Sequence, residues 1–495
     1  GRRIATRPSR PKLLPSVTPC EIFSASSILI TTDKLERALK RLPGFEALLG
    51  CERLSAGASR ETYRLTVRMG NGSQVMALRR AQHDGRSALG MGPGLDVEAK
   101  LFAAATAAGV PGPRVFMMLE PADELGTGIV MEWIDGETLG AKIARAPELE
   151  DTRGMLAHQC GEVLARLHKA DVKASGLDGI LESFDAEHSV RKTHAAYLEF
   201  ETPQPMIDFT AKWLLANLPK KRPLTLVHSD FRNGNFIVQP GKGIAAVLDW
   251  ELAHIGDPMR DLGWLVTRSW RFGVPGKPVG GVGEVDDLFA GYQAVSGEKV
   301  DRTTVRFWEI FGSFWWAVGC LSMAASYRDG SEASVERPAI GRRSSECQID
   351  CVNMIIPGWA RRPEAVERTL SKTELPRSDE LLASVRDFLR NEASSELEGR
   401  NQFLARVAAN SVDIALREIA YGADAAAWET QALHGLITKR GDVPHMRAAL
   451  CRAIRLGEIE LTRPDLHAYL RDSVLAQVMI DQPGYAGAAE CLSHH

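Results

Sequence analysis

Between about residues 50 and 135, apolar and polar positions alternate over short segments, a pattern that is typical of β-strands. A glycine-bearing turn separates "CERLSAG" from "ETYRLTVRM", and Asn71–Gly72 links the second segment to "SQVMALRR" as a hairpin. A helix is predicted for "DVEAKLFAAATAAG", ending at Gly109, and the apolar strand "GTGIVMEWIDG" follows. We therefore expect a small β-rich unit that contains one helix.

From about residue 150 the apolar positions recur at helical spacing, as in "MLAHQCGEVLARLHKA". One short hairpin interrupts this region, with strands Phe236–Val238 and Ile244–Leu248 around the loop "QPGKG". Residues from about 257 to 360 return to a helical pattern. Within them, the apolar run Ile310–Ala325 is shorter than the ~20 residues of a membrane span and is preceded by Glu309. A buried helix is predicted there, and no membrane partner is expected.

The character of the chain changes near residue 361, where the charged stretch "GWARRPEAVERTLSKTELPRSDE" indicates a linker. Only amphipathic helices are predicted after it. One apolar stripe comprises Leu381, Leu382, Val385, Phe388 and Leu389. A second comprises Leu404, Val407, Ala408, Ala415 and Ile419, which Gly422 is expected to close. Pro464 is predicted to lie in the first turn of a later helix.

Composition narrows the function classes. The 495 residues allow two to four domains, and a formal net charge of -3 gives no reason to expect nucleic acid as the main partner. Eight scattered cysteines do not form a secreted disulfide framework, so a reducing, cytoplasmic compartment is expected. Cys347 and Cys351 are one helical turn apart, but no neighbouring His or Cys pair completes a zinc site. The first twenty residues could be a transit peptide, although their prolines favour a disordered tail.

Candidate chemistry is concentrated in "HSDFRNGNFIVQPGKGIAAVLDWE", from His228 to Glu251. Phosphoryl transfer requires divalent cations on the phosphates, with hard oxygen ligands, and a carboxylate that takes the proton of the acceptor hydroxyl. Asp230 could be that base, while Asn235 and Asp249 could be the metal ligands. The hairpin between Asn235 and Asp249 folds the chain back, so we expect its two ends to lie close together.

The pattern H-x-D-x-x-x-x-N, followed by a hairpin and Asp249, resembles the aminoglycoside phosphotransferase and choline kinase group of protein-kinase-like enzymes. His228, Asp230 and Asn235 match its catalytic loop, and "GDPMRDLGW" resembles the segment that follows its metal-binding Asp. The resemblance covers about residues 45–355. It implies an α+β, bilobal protein-kinase-like fold with a small β-rich N-lobe and a mostly helical C-lobe, here followed by a separate all-α domain.

The resemblance also implies the nucleotide-binding residues. "LSAGASRETYRL" is similar to the phosphate-covering loop, in which Ser55, Gly57 and Ser59 would offer backbone amides. Arg79 stands where protein kinases have a lysine on the phosphates, with Glu98 as its ion-pair partner. With an arginine at this position, the chain resembles the subgroup that includes the kinase-like domain fused to some acyl-CoA dehydrogenases.

At the hinge "VMEWIDG", Glu132 and Ile134 would offer backbone groups to adenine. The implied cofactors are ATP, with GTP as an alternative, and Mg²⁺. The implied units are residues 1–44 (tail and leading helix), 45–135 (N-lobe), 136–360 (C-lobe with the acceptor site), 361–376 (linker) and 377–495 (helical domain, through which a homodimer could form).

Other polar residues near the motif have structural interpretations. His228 is expected to support the loop rather than carry a proton, and Asp257 and Asp261 are expected to hold the loop rather than touch metal. His168 fits a buried helix face. For Glu251, a role beside the metal and a structural role are both open.

The acceptor region, about 185 to 355, has both charge signs and many tryptophans. Its basic residues include Arg260, Arg268, Arg271, Arg328, Arg342 and Arg343. This mixture suits an acceptor with apolar and anionic parts better than a polycation, and the dehydrogenase-linked subgroup suggests hydroxy-acid or hydroxyacyl-thioester acceptors. We predict an ATP-dependent kinase of a small-molecule hydroxyl. The alternatives are a non-catalytic nucleotide-binding regulator that binds a partner through the helical domain, and a kinase of protein side chains.

Overall fold

The computed structural model describes residues 31–56, 60–81, 94–358, 360 and 376–492. Its N-terminal lobe is a five-stranded antiparallel sheet in the order β1-β2-β3-β5-β4. Two helices accompany the sheet. The elements of this lobe are α1 (Thr32–Leu39), β1 (Phe45–Ala56), β2 (Glu61–Met69), β3 (Gly72–Ala81), α2 (Leu95–Ala107), β4 (Val115–Met118) and β5 (Thr127–Glu132).

Strand β2 shows why this segment forms a sheet. Its side chains alternate in burial, and Tyr63, Leu65 and Val67 point into an apolar cluster that α1 covers. The predicted hairpin with β3 is present but shifted by one residue. Gly72 already pairs with Met69 in the ladder, so the turn is Gly70–Asn71.

The C-terminal lobe is mostly helical, with two small sheets: β6-β10-β7 and the hairpin β8-β9. The hairpin confirms the sequence prediction to within one residue at its inner ends. The elements are α3 (Gly140–Arg145), α4 (Glu150–Leu167), β6 (Ser183–Phe184), α5 (Ala186–Leu198), α6 (Pro205–Ala216), β7 (Thr225–Val227), β8 (Phe236–Gln239), β9 (Gly243–Val247), β10 (His254–Gly256), α7 (Met259–Val266), α8 (Val285–Ser296), α9 (Arg302–Arg328), α10 (Glu336–Arg342) and α11 (Ser344–Ile355).

Helix α9 is long and apolar enough, by length and composition, to cross a membrane. In the fold it packs against α7, α10 and α11, and Phe307, Phe311 and Phe314 on it are buried. These are the contacts of a core helix, which is the interpretation that the sequence favours for Ile310–Ala325.

The C-terminal region is all-α, as predicted. It comprises α12 (Ser378–Asp387), a π-helical turn (Phe388–Ala393), α13 (Ser394–Glu396), α14 (Gly399–Leu436), α15 (Val443–Leu456), α16 (Pro464–Asp481) and α17 (Ala486–Leu492). Pro464 begins its helix as expected. The prediction that Gly422 closes a helix is wrong, because α14 continues through it to Leu436. A glycine inside a helix costs only about 1 kcal/mol, which the neighbouring turns of a long helix can offset.

The last helices of this region share a core with the C-terminal lobe. Helix α15 packs on α6, and α16 and α17 pack on α11. The buried carboxylate of Asp208 on α6 accepts hydrogen bonds from Arg455 Nη1 of α15 (2.9 Å) and from His194 Nε2 of α5 (2.7 Å). The two regions therefore meet through both apolar packing and a buried polar contact.

Helices α4 and α8 cross at glycines. A Cβ atom on Gly161 would lie closer than 3.0 Å to the backbone oxygen of Leu288 and the backbone nitrogen of Tyr292. A Cβ atom on Gly291 would meet the backbone oxygen of His158 at a similarly short distance. Since backbone atoms cannot move aside like a flexible side chain, this crossing requires glycine.

We predict that Gly161→Ala lowers the free energy of unfolding by about 1–3 kcal/mol or more, because the methyl group forces α4 and α8 apart. Gly154→Ala on the same helix is the matched control, since a Cβ there would meet nothing within 4 Å. It is expected to be neutral or to stabilise by up to about 1 kcal/mol. Chemical denaturation of both variants measures the difference, and equal stability would contradict the close crossing.

Candidate active site

A buried carboxylate holds the loop formed by residues 228–235, which joins β7 to β8. Asp261 at the start of α7 accepts hydrogen bonds from the backbone N–H groups of His228 (2.8 Å) and Ser229 (2.7 Å), and His168 Nε2 lies 3.1 Å from the same carboxylate. Burial opposes the ionisation of Asp261, but the hydrogen bond and charge of His168 outweigh it and lower the pKa of Asp261. Asp261 is thus placed to hold the loop, as we expected.

Asp257 also has a structural contact. Its Oδ1 accepts a hydrogen bond from the backbone N–H of Met259 (2.9 Å), in the first turn of α7. The N-cap residue of α7 is Pro258 and not Asp257, so the predicted capping position is wrong by one residue, but Asp257 still satisfies a backbone donor of the first turn.

The His228 side chain ties the loop to the far end of the hairpin. Its Nδ1 accepts the backbone N–H of Asp230 (3.2 Å), so Nε2 carries the proton and donates to the carbonyl of Leu248 (2.9 Å). The backbone N–H of Leu248 in turn donates to the carbonyl of Asn235 (2.7 Å). Leu248, which precedes Asp249, is thereby tied both to Asn235 and to the loop that carries Asp230.

The Asp230 carboxylate accepts hydrogen bonds from three side chains. Asn235 Nδ2 lies 2.5 Å from Oδ2, Trp264 Nε1 lies 2.9 Å from Oδ1, and Arg232 donates through Nε (2.9 Å) and Nη2 (3.3 Å). The Arg232 guanidinium also stacks over the ring of Trp270, 4.4 Å from its centroid. The sequence interpretation missed Arg232 and Trp264, although Arg232 stands inside the motif, two positions after Asp230.

Asp249 has a left-handed backbone conformation, with φ of 64°, which is uncommon for a residue that is not glycine. Its Oδ1 accepts a hydrogen bond from Arg79 Nη2 (2.5 Å). Burial opposes the charge on Asp249, but Arg79 outweighs it and holds the pKa of Asp249 below its usual value. Strain of this kind is typically kept at functional sites.

Glu98 lies between two arginines. Its fully buried carboxylate pairs with Arg79 Nη1 (3.2 Å), the predicted ion pair, and with Arg60 Nη1 (2.5 Å). Arg60 lies within the segment "LSAGASRETYRL" that is predicted to cover the phosphates, but the sequence interpretation did not assign it a role. Its Nε also lies 3.9 Å from Glu251. Burial, reinforced by the charge of Asp249, raises the pKa of Glu251 to about 7.

The remaining predicted nucleotide-binding residues lie at the ends of strands β1 and β5 or outside the described residues. Ser55 lies in β1 and pairs with Thr62 of β2, while Gly57 and Ser59 lie outside the described residues. Glu132 ends β5, and its backbone N–H donates to the carbonyl of Arg114 (2.8 Å). Ile134, just beyond β5, is half-buried.

Within the described ranges, no cluster of three or more His, Cys, Asp or Glu side chains is arranged to hold a metal ion. Mg²⁺ is nevertheless commonly bound by one or two carboxylates together with substrate phosphates rather than by a protein cage. Asp249 and Asn235 fit that mode: the NH₂ group of Asn235 faces Asp230, which leaves its amide oxygen for another partner.

We predict that Asp261→Asn destabilises the protein by about 2–4 kcal/mol, because an amide can accept from only one of the two backbone N–H groups and turns a donor toward the other. The exposed Asp178→Asn is the charge-matched control. Thermal and chemical unfolding measure the loss. An Asp261→Asn protein as stable as the control would show that the carboxylate does not hold the loop.

Two family models match the chain. The model described as the phosphotransferase enzyme family matches residues 50–297, and a model described as a domain of unknown function (DUF6285) matches residues 395–485. The first match spans half of the chain and includes the 228–235 loop, the hairpin and Asp249. The second falls within the all-α C-terminal region.

The curated relatives are dehydrogenase family members. The chain is 32% identical over 245 residues to acyl-CoA dehydrogenase family member 10 of Mus musculus, covering 48% of this chain and 22% of that protein. It is 26% identical over 359 residues to acyl-CoA dehydrogenase family member 11 of Homo sapiens, covering 69% and 43%. The chain thus spans less than half of the length of either relative.

A solved structure from Ralstonia eutropha, provisionally named an aminoglycoside phosphotransferase, has the same fold, with a TM-score of 0.53 and 21% identity. The match covers 64% of this chain and 96% of that one. The bilobal fold and the resemblance stated from the motif are confirmed. Because this family model matches half of the chain, the chain belongs to the phosphotransferase enzyme family.

Proposed function

We propose that the protein transfers the γ-phosphate of ATP to a hydroxyl group of a small molecule, with Mg²⁺ as cofactor. The observation that supports this most is the bridge made by His228, which ties the loop of Asp230 to the strand end that precedes Asp249. Phosphoryl transfer needs a base and a metal-binding carboxylate side by side, and this bridge accounts for their proximity.

Asp230 is the proposed base. A carboxylate has about four lone-pair sites, and those of Asp230 are engaged by four hydrogen bonds from Asn235, Trp264 and Arg232. An acceptor hydroxyl must therefore displace one donor. Arg232 is the best candidate, because its guanidinium can turn toward an incoming phosphate while Trp264 and Asn235 keep the carboxylate oriented. Arg232 would then stabilise charge on the transferred group.

Asn235 and Asp249 are the proposed metal ligands, through an amide oxygen and a carboxylate. Mg²⁺ held by these two residues would neutralise charge on the phosphates. Asp249 now pairs with Arg79 at 2.5 Å, and Arg79 also pairs with Glu98. If Asp249 held Mg²⁺, Glu98 would still keep Arg79 in position, and the Arg79 guanidinium would be available to a phosphate.

The nucleotide would lie between the lobes. We propose that the backbone of Ser55, Gly57 and Ser59 covers its phosphates and that Glu132 and Ile134 contact the base, by the resemblance stated above. Use of GTP in place of ATP stays open at these positions. The cytoplasmic location is also a proposal; the cysteines of the described residues are free thiols, as expected in a reducing compartment.

One observation favours a second candidate function, that of a non-catalytic nucleotide-binding regulator. Leu381, Val385 and Phe388, on α12 and the π-helical turn, are each about half exposed and form one stripe. An exposed apolar stripe of this kind is suited to a partner protein or to a second copy of the chain. The two functions differ in whether Asp230 is required for turnover.

We predict that Asp230→Asn lowers the rate of ADP formation by about 10²–10⁴-fold with a panel of small alcohols, since it removes the general base. ATP affinity should stay within about threefold, because Asp230 is not a proposed nucleotide ligand. Asp287→Asn, an exposed position on α8, is the control. A coupled ADP-release assay and calorimetric ATP titration give both quantities.

Asp249→Asn should instead abolish the Mg²⁺-dependent part of ATP binding, because it removes the metal-binding carboxylate. If the wild-type protein binds ATP but forms no ADP with any alcohol, and Asp230→Asn changes nothing, the regulator function is favoured and the proposed activity is contradicted.

A further inference from the structure

A cavity of about 740 Å³ lies beside the proposed site, between α5, α9 and the segment Leu252–His254. Leu252 is three residues beyond Asp249. Trp315, on the wall formed by α9, packs edge-to-face on Trp264 with 5.3 Å between ring centroids. Because Trp264 donates to Asp230, the wall of this cavity is two side chains away from the proposed base.

Arg260 lines this cavity and places a positive charge on its wall. In the described part of the chain, no carboxylate oxygen lies within 4 Å of its guanidinium and no side chain or carbonyl accepts a hydrogen bond from it. Its observed contacts are the rings of Trp308 (5.6 Å) and Phe311 (4.9 Å). By contrast, the guanidinium of Arg79 has two carboxylate partners.

Burial lowers the pKa of Arg260 to about 10, and only the neighbouring charge of Asp261 opposes this. Arginine stays protonated at neutral pH even so. Arg260 is partly buried, and its guanidinium faces the cavity with only aromatic rings as observed side-chain partners. The arrangement is one that an anion entering the cavity would stabilise.

The other charged groups of the cavity do not supply that anion. Glu182 is engaged by Lys192 Nζ at 3.0 Å, and its side chain is 67% exposed, which places it at the rim. Glu199 is exposed at the end of α5. Burial and the charge of Arg260 lower the pKa of His254 to about 3, so this imidazole is neutral.

We propose that Arg260 binds an anionic group, a carboxylate or a phosphate, on the phosphate acceptor. The acceptor is then an alcohol that carries this anion on an apolar segment, which the aromatic and aliphatic walls cover. Polycationic acceptors are disfavoured, because they would meet the unpaired guanidinium. The inference rests on the proposed phosphotransfer, since it assigns the cavity to the acceptor.

The test uses straight-chain alcohols of graded length in matched sets, each with a terminal carboxylate, a phosphate monoester or a neutral carboxamide. The wild-type protein and Arg260→Gln are compared. Arg191→Gln is the control, because Arg191 lies on the outer face of α5 and its side chain is 63% exposed. The wild-type protein should have a kcat/KM at least about tenfold higher for anionic members than for the carboxamide. Arg260→Gln should lower kcat/KM for anionic members by about 10–100-fold and leave the carboxamide within about twofold.

Comparison of kcat/KM between the carboxylate and the phosphate compounds shows which anion the protein prefers. Arg260→Gln is expected to leave Tm close to that of the wild-type protein, because the partly buried guanidinium has no ion pair or hydrogen bond to lose in the described residues. A clear fall in Tm for Arg260→Gln together with unchanged selectivity would assign Arg260 a packing role and overturn the proposal. Arg260→Lys keeps the charge and should retain part of the preference.

Calorimetric binding of the same compounds without nucleotide separates the two proposals. If anions bind to the wild-type protein and not to Arg260→Gln, but no compound is phosphorylated, the phosphotransfer proposal fails and the anion site stands as a site for another ligand. If anions bind to both proteins equally, or to neither, or if the carboxamide is as good an acceptor, the inference about Arg260 is wrong.

Discussion

The site depends on the fully buried carboxylate of Asp261. It accepts hydrogen bonds from the backbone N–H groups of two consecutive residues in the 228–235 loop, His228 and Ser229. Such a carboxylate is expensive to bury unless every oxygen is bonded. Here the cost is met by backbone donors and by His168, so the loop has one favoured conformation. Ser229 has φ of 67° within it, a conformation that persists only where surrounding contacts over-determine it. His228 then extends the fixed geometry from Asp261 to the end of the hairpin.

The acidic residues of this framework repel one another, and the arginines beside them offset that repulsion. Arg232 forms an ion pair with Asp230, and Arg79 forms one with Asp249. Arg60 and Arg79 both pair with Glu98. In each proposed step a guanidinium changes its partner from carboxylate to phosphate, so binding of a nucleotide exchanges ion pairs rather than creating buried charge. This exchange requires arginine or lysine beside each carboxylate. It would explain why a site that we propose to bind a polyanion is itself rich in acids.

Much of this arrangement follows from spacing along the chain. A hairpin of about a dozen residues must return near its origin, so the proximity of Asn235 and Asp249 could be predicted from the sequence alone. The partners of Arg60 could not, since its ion pair with Glu98 depends on how α2 packs against the sheet. The hydrogen bond from Trp264 to Asp230 could not be predicted either, since it depends on how α7 packs beside the 228–235 loop. Gly422 shows the opposite failure: a local stop signal was overruled by the length and packing of α14.

The C-terminal helices contact a helix that lines the cavity beside the site. Asp208, fully buried, accepts hydrogen bonds from His194 and Tyr197 on α5 and from Arg455 on α15. The opposite face of α5 carries Lys192, which lines the cavity. Because a buried carboxylate that loses one donor is strongly destabilised, α5 cannot shift far without also disturbing α15. The helical region therefore constrains one wall of the space that the acceptor is proposed to occupy, and it does so through a contact that lies outside the active site.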